Sequence, residues 1–346
     1  MNQAWSVERG ARSEDQDLSD PCSALHAQQC DVSVCIANWN CRDVLRDCLA
    51  SLLRQPQGIR LEVVIVDNAS TDGVTEMVAA EFPDVTLVRN TTNEGFARAS
   101  NRAAEHAGGR YLFFLNNDTV IPPHGLARLI EYADANPDVG MLGPRLCDSD
   151  GAFQISYRRR PTVGALLHRT LLLRWTGLFA RSYRSYRRGG YDPHHRGPVD
   201  LLMGAAVLMP RNVYWNDGQW DEDFAFGGED LELAARVGER YPVHFVPDVD
   251  ITHHGRVSSR LNFGFSTESV AIGYVQYLRK TGSGRCSLFV YKVIVTLDAP
   301  LQLVAAGLQY VGRRLGGRKA KAAKSLLAAR GLAHFIRHSL PRFWRA

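Results

Sequence analysis

The sequence predicts an α/β fold: a mostly parallel, twisted sheet with helices on both faces, continued by a C-terminal helical tail. Two observations carry this. Short, largely apolar runs alternate with segments of about ten residues whose apolar positions recur at helical spacing. Each apolar run also ends in a cluster of Asn, Asp, Gly or Ser, residues that make turns.

The first strand is expected at Asp31 to Ile36, running into Ala37-Asn38-Trp39-Asn40. Arg42 to Arg54 follows, with Val44, Leu45, Cys48, Leu49, Leu52 and Leu53 at helical spacing. Leu61 to Val66 is the second strand and ends in Asp67-Asn68-Ala69-Ser70-Thr71-Asp72-Gly73. A helix over Val74 to Glu81 leads to a third strand, Val85 to Arg89, and then to Asn93-Glu94-Gly95-Phe96. After a helix over Ala97 to Ala107 comes Tyr-Leu-Phe-Phe-Leu-Asn-Asn-Asp, Tyr111 to Asp118. Its apolar part reads as a strand buried on both faces. Open sheets bind ligands just beyond the carboxyl ends of their strands. Asp118 is thereby aimed at a crevice where a metal or a diphosphate would sit. The plainer reading makes it a cap on the turn before Pro122 and Pro123.

Right-handed crossovers bring these strand ends to one edge. That edge collects Asn38, Trp39, Asn40, Asp67, Asn68, Asn93, Gly95, Asn116, Asn117 and Asp118. Any one Asn is a good turn former. Four successive strand ends so equipped are better read together as a ligand rim.

Val-Ser-Val-Cys-Ile-Ala-Asn-Trp-Asn, Val-Asp-Asn-Ala-Ser-Thr-Asp-Gly, Asn-Glu-Gly-Phe-Ala-Arg-Ala-Ser-Asn and Leu-Asn-Asn-Asp occur in that order. Together they resemble the nucleotide-sugar half of a family 2 glycosyltransferase with the GT-A fold. The Asn-Asn-Asp version is similar to the bacterial rhamnosyltransferase and galactofuranosyltransferase branch. The resemblance implies that Ala37 and Trp39 line the nucleotide, with Trp39 where the family often has Tyr. It implies that Asp67 hydrogen-bonds the base and that Asn93 and Gly95 form the loop near the nucleotide. Asn116, Asn117 and Asp118 fall on the Asp-any-Asp motif. Asn116 departs from it, a neutral amide where many relatives carry a carboxylate. One charge fewer weakens the hold on a cation, which then depends more on the diphosphate itself.

The regular alternation stops after Pro144. Residues 157–196 hold ten Arg and one acid, with Tyr157, Trp175, Phe179, Tyr183, Tyr186 and Tyr191 interleaved. No nucleic-acid fold signature accompanies them. A loop near the acceptor or the membrane face suits them better, since Arg matches phosphate-bearing acceptors; a plain solvated loop is the competing reading. Val199 to Pro210 reads as a buried element in which Gly204 and Ala205 let a sugar ring approach the backbone, or simply pack tightly.

Asp221 to Leu233 contains two glycines that place Glu229 and Asp230 at a helix start. Acids suit a first turn for dipole reasons alone. The resemblance puts this pair at the acceptor hydroxyl, Asp230 as general base and Glu229 in support. Val243 to Val246 is a further strand, followed by Pro247 and then His253-His254. The resemblance puts a metal-binding histidine here; His253 fits better and His254 second. An imidazole among oxygens makes Mn²⁺ a natural alternative to Mg²⁺.

Net charge is +5, unevenly spread. Ten Lys or Arg and no acid follow Ala299, leaving 31 basic against 36 acidic side chains elsewhere. Arg285 to Gly312 is apolar, but Pro300 is expected to break a helix there, and the uncharged run Ala299 to Gly312 is too short to span a bilayer. From Ser325 on, apolar residues recur at helical spacing among Arg330, Arg337, Arg342 and Arg345. This predicts a basic amphipathic anchor on a membrane surface, with packing on the catalytic domain or on a second copy in a homo-oligomer as the rival reading. Seven cysteines without a CxxC pair argue for reduced thiols in the cytosol. The first thirty residues show no secretory pattern and read as a disordered lead-in.

The expected organisation is a lead-in over 1–30, a nucleotide-sugar-binding half over 31–145, an acceptor and catalytic half over 146–265, and a helical tail over 266–346. The expected function is inverting transfer of a sugar from a nucleotide-diphosphate donor, with dTDP-L-rhamnose suggested by the branch, to a glycan or polyprenyl-diphosphate-linked acceptor. Its setting would be cell-envelope polysaccharide synthesis at the inner face of the membrane. A sugar nucleotidyltransferase would carry a Gly-rich, basic loop after the first strand, and Ala37 to Cys41 has no Gly, Lys or Arg. A non-catalytic relative would typically have lost the Glu-Asp pair or the metal carboxylate.

Overall fold

A computed structural model describes residues 30–55, 58–187, 191–224, 227–255 and 263–346. The lead-in expected over 1–30 lies, except for Cys30, outside the described residues. The N-terminal half alternates strand and helix: β1 (Val32–Asn38), α1 (Arg42–Leu53), β2 (Leu61–Asp67), α2 (Val74–Glu81), β3 (Thr86–Arg89), α3 (Phe96–Glu105), β4 (Tyr111–Leu115), β5 (Thr119–Val120) and α4 (Gly125–Ala135). Then come β6 (Met141–Cys147), β7 (Tyr157–Arg158), three short helices α5 (Val163–Leu167), α6 (Leu171–Arg174) and α7 (Ala180–Arg187), and strands β8 (Gly197–Pro198), β9 (Leu201–Leu202) and β10 (Ala206–Pro210). A helical turn at Arg211–Val213 runs into a π-helical turn, Tyr214–Gly218. The chain ends with α8 (Glu229–Val237), β11 (Val243–His253), α9 (Phe263–Lys280), α10 (Arg285–Leu315), α11 (Lys319–His334) and α12 (Leu340–Arg345).

The main sheet runs β3-β2-β1-β4-β10-β6-β11-β5, with β8 added on β11. Its first four strands are parallel. β10 lies antiparallel between β4 and β6. β6 and β11 are parallel again. β6 spans the expected boundary at 145, so one sheet serves both halves. Register sets the site: Asn38 stands beside Asp67, and Cys35 beside Phe114 two strands over from β2.

β4 is buried on both faces, as its unbroken apolar run requires. One face of the sheet packs Phe114, Tyr214 and Trp220 against α3. The other packs Phe113 against Leu45, Leu49 and Leu52 of α1. β11 continues past Pro247, where a short strand was expected. Its pairing with β6 shifts between Val246 and Asp250, because Pro247 has no N–H to donate. The irregularity lets the strand resume and carry His253 to the site.

The tail differs from its sequence reading twice. α10 passes through Pro300 without a break. The proline costs a backbone hydrogen bond and about 3 kcal/mol in an isolated helix; packing of α10 on α5, α6, α9 and α11 outweighs that. α10 is thus the one helix among the described residues long and apolar enough, by length and composition, to cross a membrane. Conversely, much of the apolar stripe of the C-terminal basic segment packs inward, where an outward-facing stripe was expected. Phe335 and Phe343 are buried, Trp344 Nε1 donates to Thr296 Oγ1 at 3.1 Å, and Lys292 Nζ donates to the Trp344 carbonyl at 2.9 Å. Its apolar stripe serves the protein's own interior, which burial of aromatic rings favours.

Candidate active site

Asn116, Asn117 and Asp118 follow β4 directly, and Thr119 Oγ1 tightens their turn by donating to the Asn116 carbonyl at 2.8 Å. β5 pairs antiparallel with β11, Thr119 opposite His253. The His254 N–H donates to the Asp118 carbonyl at 2.9 Å. This brings His253 Nε2 to 3.5 Å from Asp118 Oδ1, with the carboxylate almost fully buried. On the far side of the ring, Nδ1 lies 2.9 Å from Gln154 Oε1. Gln154 is itself fixed, donating from Nε2 to the His253 carbonyl at 2.7 Å. With Nδ1–H donating to Gln154, Nε2 carries the lone pair and accepts from Asn116 Nδ2 at 3.3 Å. The ring is thereby oriented as metal-ligating imidazoles are. The His254 ring turns instead to Ser149 Oγ, 2.8 Å away. No group of three or more His, Cys, Asp and Glu gathers among the described residues. One carboxylate and one imidazole lone pair fit a Mg²⁺ or Mn²⁺ ion that takes its remaining oxygens from a diphosphate and water.

The rest of the rim is knitted by amides. Asn117 turns inward, donating to Asn38 Oδ1 at 2.7 Å, and Asn38 donates to Asp67 Oδ1 at 3.2 Å. Asp67 is buried and also accepts from the Ser70 N–H at 3.1 Å and the Ser70 hydroxyl. It therefore shapes the 68–72 loop as well as facing the rim. Asn68 ties that loop onward, donating to the Gly95 carbonyl at 3.1 Å and accepting from Asn90. Asn93 Oδ1 accepts from the Gly95 N–H at 3.0 Å, where Gly95 holds φ 89° at the start of α3. Ala37 and Trp39 are half-buried at the end of β1. Asp72, unselected from the sequence, has a buried Oδ1 with no hydrogen-bond partner among the described residues.

The acid pair opens α8 after Gly227 and Gly228, whose φ of 82° and 105° suits only glycine comfortably. Glu229 is buried, and its Oε2 has no hydrogen-bond partner among the described residues. Burial first, and the Asp230 charge second, push its carboxyl up to about 8. Asp230 is half-buried. Burial raises its pKa, while the Gly204 N–H and the Arg158 charge act the other way. Its Oδ2 accepts from the Gly204 N–H at 3.3 Å and its Oδ1 from the Leu231 N–H at 2.9 Å. The next residue, Ala205, accepts from the Asn116 N–H at 2.9 Å. Residues 204–205 thus join the end of β4 to the start of α8. A cavity of about 240 Å³ is lined by Tyr157, Arg158, Arg159, Tyr186, Arg187 and Asp200 among others. Arg158 Nε is buried there without a partner among the described residues.

Gln154 and Arg158 were missed from sequence. Gln154 sits in a loop 99 positions before its histidine and belongs to no motif. Arg158 is one of ten arginines in its segment and nothing singles it out.

The sheet, the helices on its faces and the strand-end site define the GT-A class of fold. A mannosyltransferase, PcManGT from Pyrobaculum calidifontis, solved in complex with GDP-Man and Mn²⁺, shares it at a TM-score of 0.53 and 21% identity, over 91% of this chain and 87% of that one. Residues 33–193 match the model for glycosyl transferase family 2, and the chain carries a family 2 glycosyltransferase domain. It is 29% identical over 208 residues to the N-acetylglucosaminyl-diphospho-decaprenol L-rhamnosyltransferase of Mycobacterium tuberculosis, covering 56% of this chain and 66% of the relative. It is 37% identical over 194 residues to the succinoglycan biosynthesis protein ExoO of Rhizobium meliloti, covering 51% of this chain and 56% of the relative. The chain thus spans a little under two thirds and a little over half the length of these two relatives.

Proposed function

We propose that the protein is an inverting glycosyltransferase that moves a sugar from a nucleotide-diphosphate donor to a hydroxyl of a lipid-diphosphate-linked glycan, for cell-envelope polysaccharide synthesis. The observation that carries this is the 204–205 turn. It ties Asp230, through the Gly204 N–H, to the strand end that runs into Asp118, which supports a base and a leaving-group site served by one turn, as a single displacement needs. Trp39, Ala37 and the loops shaped by Asp67, Asn93 and Gly95 receive the nucleotide. Asn116 offers its amide beside the diphosphate, and Asn117 holds the rim to β1. Asp118 and His253 would hold Mg²⁺ or Mn²⁺, which supplies Lewis-acid neutralisation of the leaving diphosphate.

Asp230 takes the proton from the attacking hydroxyl as the hydroxyl oxygen bonds to the anomeric carbon and the diphosphate departs. Its two N–H donors orient it and act against the rise that burial imposes on its pKa. Glu229, kept protonated at neutral pH by its burial, adds no second negative charge against that base. The guanidinium of Arg158 and its cavity suit the phosphates of the acceptor. The name of the Mycobacterium tuberculosis relative, an L-rhamnosyltransferase acting on a diphospho-decaprenol, favours an L-rhamnosyl donor, which we take as dTDP-L-rhamnose, and a lipid-linked acceptor. Asp230→Asn should lower transfer by more than tenfold while donor affinity, read by calorimetry with Mn²⁺, stays within about twofold. Retention of more than a tenth of the rate would overturn the base assignment.

A further inference from the structure

We propose that the outer face of α10, with the segment around Trp175, is the surface by which this protein lies on an anionic lipid bilayer. Leu297, Leu301, Val304, Leu308, Val311 and Leu315 follow one another at alternating spacings of four and three. They form a single stripe about 27 Å long at 1.5 Å per residue. All six are exposed, Leu308 at 70% and Leu315 at 83%. The opposite face of the same helix is packed, with Tyr291, Asp298, Ala299 and Ala306 buried. A soluble surface rarely leaves so long an apolar stripe uncovered.

A second element extends it. The Leu172 N–H donates to Asp298 Oδ1 at 2.9 Å, docking the start of α6 on α10. Trp175, 85% exposed, and Leu178 project just beyond. An exposed Trp with aliphatic neighbours suits the headgroup boundary, where its ring is buried and its N–H stays wet.

Charge selects the occupant. Arg174, Arg181 and Arg184 are exposed at the Trp175 end, and Arg314, Arg318 and Lys319 at the other. From Ala299 to the C-terminus there is no acid, and Asp298 is fully buried. Two copies paired along this stripe would set basic ends against basic ends, parallel or antiparallel. Anionic headgroups neutralise both ends at once. Because α9, α11 and α12 hold the inner face, the helix lies in the plane of the surface.

The test is co-flotation of the full chain with vesicles of neutral phosphatidylcholine or of phosphatidylcholine with phosphatidylglycerol. No donor is needed, so the outcome is separable from the transferase reading. The wild type should float with anionic vesicles and be released by high salt. Leu301→Glu with Leu308→Glu should lower partition at least tenfold, and Trp175→Ala severalfold, with unchanged thermal melting and donor affinity. Unaltered flotation of the double variant would overturn the proposal. So would a dimer by light scattering that the same variant dissolves, or vesicle binding that resists high salt and alkaline extraction, which marks a spanning helix.

Discussion

At the scale of single residues, the site is a set of side chains whose partners fix their direction. His253 is the clearest: Gln154 holds one ring nitrogen so that the other faces Asp118. Gln154→Leu leaves the ligands in place but frees the ring. Mn²⁺ affinity of the protein, read by calorimetry without donor, should fall about 10- to 100-fold, and Gln154→Glu, which keeps an acceptor, should restore most of it. Glu229 supplies a second test. Unfolded, its carboxyl loses its proton near 4.5; folded, it holds it to about 8. Between these values the folded state binds more protons, so stability is greatest at the acid end and falls as pH rises, by up to about 1.4 kcal/mol per unit for one group. Glu229→Gln should flatten much of that slope in melts run from pH 5 to 8. These couplings were not legible in the sequence. Asp118, Asp230 and His253 stand in recognisable motifs, but an orienting Gln or an inward-turned Asn looks like any loop residue until its partner strand is placed beside it.

At the scale of elements, legibility followed periodicity. β1, β2, α1, α2 and α3 fall within two residues of their expected bounds at each end, because each is long enough to show a period. β7, β8 and β9 are two residues each and could show none. β10 was anticipated as buried, not as an antiparallel strand inserted between β4 and β6, since pairing direction has no local signature. Pro300 misled for a different reason: propensity is a local cost, and the packing that overrides it comes from helices elsewhere in the chain. A glycine makes the converse point. A Cβ on Gly273 of α9 would stand 1.8 Å from the Gly227 carbonyl oxygen. Gly273→Ala must therefore push α9 off the turn that precedes Glu229. It should destabilise the fold by about 1–3 kcal/mol and lower transfer at least tenfold, against little change in donor affinity.

At the scale of the whole molecule, the helical tail is part of the fold. Phe335, just after α11, and Phe343 of α12 are buried against their neighbours, and Arg279 Nη1 donates to the Ala346 carbonyl at 2.6 Å. Truncation before Lys319 should uncover the inner sides of α9 and α10, lower the melting temperature by several degrees and promote aggregation. A tail that was only an appended anchor would come away with the melting temperature unchanged. The unequal charge distribution was plain in the sequence; which helix turned its apolar side outward was not, because α10 and the last helix both alternate apolar and polar residues and only their packing separates them.

The meeting of α9 with the Gly227–Gly228 turn restricts how this chain can be recombined. Backbone meets backbone at Gly273, and the Val270 side chain closes on Gly227 beside it, so there is little room to adjust the fit. A chimera that took its helices from one homologue and its acid-bearing turn from another would misalign the two even if every functional side chain were kept. The stretch from the turn through α9 must therefore be inherited as a block, and productive crossovers should cluster outside it.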